Sequence, residues 1–158
     1  MPENVPADSV LVIGIGNAFR RDDAVGLEVA RRLRERTPAH IKVLEHGGEG
    51  ARLMEVWQKA RAVILVDAAR SGAEPGTIHR IDGNLHPLTR NMFGDSTHAF
   101  SVAEAVELSR VLGRLPARLV VFGVEGSDYA AGTELSPAVH QAVPLVVEAV
   151  LAEINKIA

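Results

Sequence analysis

The sequence predicts an α/β fold, a three-layer sandwich whose mostly parallel, twisted sheet of about five strands carries helices on both faces. Three observations lead there. Short, continuous apolar runs such as Ser9–Ile15 and Ala62–Asp67 read as strands buried on both faces. Segments of helical period alternate with them along the chain, and that alternation belongs to parallel sheets covered by helices. One interval between strands is too short for a helical crossover, which predicts a single antiparallel edge strand.

The elements follow in order. Ser9–Ile15 (SVLVIGI) is the first strand, with a glycine next to its end. Asp23–Glu35 reads as a helix, with Val25, Val29 and Leu33 on one face and Arg31, Arg32 and Arg34 elsewhere. Ile41–Glu45 is a second strand and Ala51–Gln58 a short helix with Leu53, Met54 and Trp57 inward. Ala62–Asp67 is the central strand. Thr77–Ile81 follows after only about ten residues and is therefore the expected antiparallel edge. Asp82–Thr97, punctuated by Gly83, Pro87 and Gly94, reads as a long loop of the kind that contacts substrates. A helix over Ser101–Leu112 and a strand over Leu119–Val124 come next. Ser136-Pro137 opens the last helix as N-cap and first-turn proline, and Pro144 is expected to kink it or split off its first turn.

Composition narrows the function. The 158 residues suit one domain, residues 1–158, with 1–8 as a flexible tail. Seventeen Lys and Arg against twenty Asp and Glu give a net charge of -3, with no basic excess for nucleic acid. There is no cysteine, hence no disulfide, thiolate metal site or cysteine nucleophile. The first eight residues lack the basic and apolar regions of a secretory signal, and no run reaches the ~18 apolar residues of a membrane span. A cytoplasmic location with no membrane partner is the expectation.

In sheets of this class ligands bind beyond the carboxyl ends of the strands. Gly14-Ile15-Gly16-Asn17 at the first such end suggests dinucleotide binding, but Phe19 stands where the third glycine belongs. Asp22 and Asp23 also place negative charge where a pyrophosphate would need bare amides. These two aspartates read either as helix caps or as ligands. Asp67 closes a buried apolar strand, where a carboxylate needs turn amides, solvent or a cation. His98 lies between the long loop and a helix. His46, after the second strand, falls at the same edge, whereas His40, His79 and His140 read as ordinary structural histidines.

Asp23, Asp67 and His98 thus come from three segments to one predicted edge. Two carboxylates and one imidazole suit a divalent metal with open positions. Such a metal would polarise a carbonyl and acidify a water, which is equipment for amide hydrolysis without a serine or cysteine nucleophile.

Four blocks, Val12–Gly26 (VIGIGNAFRRDDAVG), Ile64–Thr77 (ILVDAARSGAEPGT), Ser96–Gly113 (STHAFSVAEAVELSRVLG) and Val120–Gly126 (VVFGVEG), resemble in content and order those of the hydrogenase maturation proteases. The resemblance implies an endopeptidase that trims the C-terminal extension of the nickel–iron hydrogenase large-subunit precursor after nickel insertion. It implies Asp23, Asp67 and His98 as the metal-binding and catalytic residues, nickel supplied by the substrate, and the precursor as partner. Another divalent cation in the isolated protein is compatible with that picture. The loop Glu45-His46-Gly47-Gly48-Glu49-Gly50 departs from the family pattern, with Glu49 where a small hydroxyl residue is usual. His46 and Glu49 are either further contacts to metal or substrate or solvated loop residues. A free-standing metallohydrolase of small amides and a non-catalytic nickel-site chaperone are the competing functions.

Overall fold

A computed structural model describes residues 9–93 and 100–157. Five strands, β1 (Val10–Ile15), β2 (Ile41–His46), β3 (Ala62–Ala69), β4 (Ile78–Asp82) and β5 (Arg118–Glu125), form one sheet in the order β2-β1-β3-β5-β4. The first three pairings are parallel. β4 runs antiparallel to β5 at the edge, as its short connection requires. The α/β sandwich expected from the sequence is therefore the fold.

Side-chain alternation builds two cores. On one face Val10, Val12, Ile64, Val66, Val120 and Phe122 pack with buried residues of α1 (Val25–Arg34) and α5 (Pro137–Ile157). On the other, Leu11, Ile13, Val63, Leu65, Leu119 and Val121 meet α2 (Gly50–Trp57), α3 (Arg90–Phe93) and α4 (Val102–Val111). All eight residues of β3 are buried, so its polar one, Asp67, is held inside by its neighbours' burial. Alternation aims Asp67 to the α2–α4 face, because Val66 and Ala68 belong to the other core.

The glycines of the first turn have a packing role. A Cβ on Gly14 would lie 2.1 Å from the Gly26 carbonyl oxygen, and one on Gly16 would lie 2.0 Å from that of Asp23. They let the chain after β1 press onto the sheet, a need quite separate from pyrophosphate. The connection through α1 leaves β1 toward β2, whereas the route onward from β2 crosses to β3 on the opposite side of β1. The carboxyl ends of β1 and β3 thus flank a topological switch point, where such sheets open a crevice.

Three expectations need correcting. The helix expected from Asp23 begins as a 3-10 turn, Arg21–Ala24, before α1. Pro144 does not divide the last helix: Pro137–Ile157 is a single element. Pro144 is solvent-exposed there, while Val143, Val146, Val147 and Val150 hold the helix to the sheet. By length and apolar content α5 would pass as a membrane span; its buried valines make it a core helix here. Finally, the first part of Asp82–Thr97 is anchored. Gly83 N–H donates to Leu119 O, Leu88 N–H to a Glu107 carboxylate oxygen, and α3 buries Phe93. The rest of that segment lies outside the described residues.

Candidate active site

The chain leaving β1 makes a tight, pinned turn. Asn17 Oδ1 accepts from Phe19 N–H at 2.9 Å, and Phe19 O accepts from Gly132 N–H. Arg21 adopts a left-handed φ of 46°, and its N–H donates to Gly132 O. A non-glycine residue there stores of order 1 kcal/mol, sustained by such flanking contacts. The 3-10 turn that follows rotates successive side chains by about 120°, and this separates the two adjacent aspartates.

Asp22 points inward and is fully buried. Its carboxylate accepts from the backbone N–H groups of Ser127, Asp128 and Ser136, at 2.9, 3.0 and 2.7 Å, and from the Ser136 hydroxyl at 2.8 Å. Burial pushes its pKa up, but these donors outweigh burial and hold it below the usual carboxylate range. Asp22 ties the first turn to the loop between β5 and α5, and it takes the hydroxyl of Ser136, the residue before α5. Asp23 instead faces the crevice, half-buried, with Oδ2 accepting from Asn17 N–H at 3.1 Å.

Asp67 lies across the crevice at the end of β3. Its side chain accepts from Ala68 N–H at 2.8 Å. Burial first, and the negative charge of Asp23 second, push its pKa well above the ordinary carboxylate range. The Ala68 amide and the Arg70 cation only partly oppose this. Asp23 and Asp67 line one cleft of about 40 Å³ together with Gly16, Gly48, Arg70 and Phe93. That is room for an ion and a few waters, each needing roughly 10–15 Å³. A wider groove of about 590 Å³ lies near Arg36, His40 and Glu148 at the opposite edge, but it gathers no such pair of carboxylates.

The structure therefore brings Asp23 and Asp67 together. His98 lies outside the described residues. Among the described residues no three His, Asp or Glu side chains form a metal-sized group. His46 ends β2 at this edge, as expected, and its Nδ1 accepts from Gly48 N–H at 2.9 Å. Glu49 is the N-cap of α2, its two carboxylate oxygens accepting from Ala51 and Arg52 N–H. This capping role replaces the reading of Glu49 as a merely solvated loop residue.

Sequence reasoning misses several groups here. Arg70 lies against the Tyr129 ring, 3.6 Å from its centroid, and lines the cleft. Glu125 is buried at the end of β5 and accepts from the Ser71 hydroxyl at 2.5 Å, with His79 Nε2 3.1 Å away. Its position has a sequence signal, since it closes an apolar strand just as Asp67 does. His79, an ordinary edge-strand residue by sequence pattern, is its partner.

A paired-carboxylate cleft at the switch point of a doubly wound sheet, in a chain without cysteine, is a layout suited to hydrolysis rather than nucleotide binding. The comparisons with known proteins agree on a peptidase. The family model described as hydrogenase maturation protease matches residues 27–153. The chain is 27% identical over 151 residues to the hydrogenase 2 maturation protease of Escherichia coli, covering 93% of this chain and 91% of the relative. It is 29% identical over 160 residues to the hydrogenase expression/formation protein HupD of Rhodobacter capsulatus, covering 98% and 75% respectively. An endopeptidase from Escherichia coli solved in solution superposes with a TM-score of 0.83 at 26% identity, over 94% of this chain and 93% of that one. The [NiFe] hydrogenase maturation protease HybD from Thermococcus kodakarensis gives 0.70 at 27% identity, over 92% and 97%. The chain belongs to the hydrogenase maturation protease family, and it is a peptidase.

Proposed function

We propose that this peptidase acts in the cytoplasm as an endopeptidase, removing the C-terminal extension of a nickel–iron hydrogenase large-subunit precursor after nickel has been inserted. The observation that carries the site assignment is the shared cleft of Asp23 and Asp67. Asp67 is buried beside a second carboxylate, so the fold leaves negative charge there that a divalent cation would relieve. The donor set fits such a cation: two hard carboxylates, with His98 as the third ligand by family resemblance.

Three protein ligands leave open positions, and the precursor's own nickel is the proposed occupant. Nickel is then part of the substrate, and docking tests whether the precursor is loaded. A cation so placed supplies charge that polarises a peptide carbonyl. The chain's residues do the rest. Asp23 and Asp67 would hold the cation from two sides of the crevice, and the β1 turn and β3 end position the two side chains. The half-enclosed cleft limits competing water.

The test presents nickel-loaded and nickel-free precursor side by side to metal-stripped enzyme and follows intact mass. Cleavage of the loaded form alone is expected, with His98→Ala inactive on both. Equal cleavage of both forms would sink the substrate-supplied nickel. Binding without any cleavage would make the protein a chaperone, and tight nickel retention by the enzyme alone would make it an ordinary metallohydrolase.

A further inference from the structure

The geometry points to Arg70 as a catalytic residue that binds the scissile carbonyl oxygen as it takes up negative charge, with Tyr129 as the positioning residue that holds the guanidinium in place. This rests on the reading of the Asp23–Asp67 cleft as the active site. Among the described residues lining that cleft, Arg70 is the one cation. It stands three residues beyond Asp67 on the same strand exit. Its charge reaches Asp67, whose pKa it lowers against burial and Asp23.

Arg70 is held at its backbone and at its guanidinium. Arg70 N–H donates to Met92 O at 2.9 Å, which anchors its backbone to α3. Its Cζ lies 3.6 Å from the Tyr129 centroid, within the range of a cation–π contact. The ring is itself locked, because Tyr129 Oη donates to Ala69 O at 2.9 Å, and burial first among its causes pushes the phenol pKa up to about 12. Tyr129 can sit there only because residue 126 is glycine: a Cβ at Gly126 would lie 2.4 Å from the phenol oxygen and 3.0 Å from Asp22 Cβ. The platform under Arg70 is thus continuous with the Asp22 hub.

The chemistry of the reaction needs such a group. When water adds to the scissile carbonyl, its oxygen bonds to the carbonyl carbon and the C=O π pair moves onto the carbonyl oxygen. The water proton is taken by a cleft carboxylate and passed to the leaving nitrogen. Collapse of the oxyanion restores C=O, breaks C–N, and yields a carboxylate and an amine. The two carboxylates offset most of the charge of the substrate's cation, so a further positive group beside the carbonyl oxygen adds to what that cation supplies. A guanidinium cannot act as the acid or base, since it stays charged at any working pH. A preorganised cation in a half-enclosed cleft stabilises the oxyanion without reorganising.

The experiment measures initial rates of cleavage of nickel-loaded precursor against precursor concentration, with melting curves for each variant. Arg70→Gln should lower kcat about 100- to 1,000-fold at nearly constant KM, the usual loss for one oxyanion donor. Arg70→Lys should recover part of it. Tyr129→Leu should lower kcat by a smaller factor, whereas Tyr129→Phe, which keeps the ring, should recover most of the rate. A wild-type kcat in folded Arg70→Gln, or a loss confined to KM, would overturn the proposal. If Arg70→Gln does not fold, Tyr129→Leu decides in the same way. Asp67→Asn is run in parallel: its normal activity would defeat the active-site reading, while an inactive Asp67→Asn beside a fast Arg70→Gln would defeat the Arg70 role alone.

Discussion

Asp22 and Asp67 are both buried carboxylates at the carboxyl edge of one sheet, and the fold treats them in opposite ways. Asp22 collects three backbone amides and a serine hydroxyl, and its pKa falls. Asp67 is given its neighbour's amide and a second carboxylate across the cleft, and its pKa rises. Asp67 lies deeper and faces a second carboxylate with one amide and the Arg70 charge to oppose them, whereas the donors around Asp22 outweigh its burial. Glu153 and Glu125 side with Asp22. Arg80 grips Glu153 through two hydrogen bonds of 3.1 and 2.8 Å, fastening the edge strand β4 to α5. Ser71 and His79 serve Glu125. A carboxylate whose charge the fold neutralises holds structure together. One left with surplus charge is poised for a cation or a proton.

The largest effect that would break this contrast is at Asp22. Asp22→Ala removes the acceptor for three backbone amides and the Ser127 and Ser136 hydroxyls at once. It should cost about 3 kcal/mol, a fall in melting temperature of roughly 6–12 °C for a chain of this size. Its pKa is depressed, so the stability it contributes is present above the ordinary carboxylate value and is lost as pH falls below it. A melting curve that ignores the substitution would remove the hub.

A smaller effect sharpens the contrast at Glu49. As an N-cap it should lose about 1 kcal/mol on Glu49→Ala, with cleavage of nickel-loaded precursor unchanged. Loss of cleavage at unchanged stability would return Glu49 to the substrate site.

Much of this layout is legible in the amino-acid sequence. Continuous apolar runs place the inner strands, and the short interval after Asp67 gives β4 its antiparallel sense. The same logic puts Asp23 and Asp67 at one edge. The neighbouring Asp22 cannot be told from Asp23 in this way, because helical sequence pattern assumes about 100° per residue while the turn here is 3-10. Arg70 is invisible as well. Its role depends on Tyr129, 59 residues away and brought near by the pairing of β3 with β5. Pro144 does not split the last helix, and the carbonyl its missing N–H leaves unpaired belongs to the exposed His140.

The smallest expected shift tests the central claim most directly, that the fold leaves Asp67 without adequate compensation. The measurement is the melting temperature of metal-free wild type and Asp67→Asn from pH 4 to pH 8. Asp67 has a raised pKa in the folded state, so its favourable term is fully present below the unfolded carboxylate value near 4 and is lost as pH rises through the folded value. Asparagine carries no such term. The two proteins should therefore melt together near pH 4, with the variant increasingly the more stable toward neutral pH. A variant that melts below wild type at pH 7, or a difference that ignores pH, would show that Asp67 is a satisfied structural acid like Asp22.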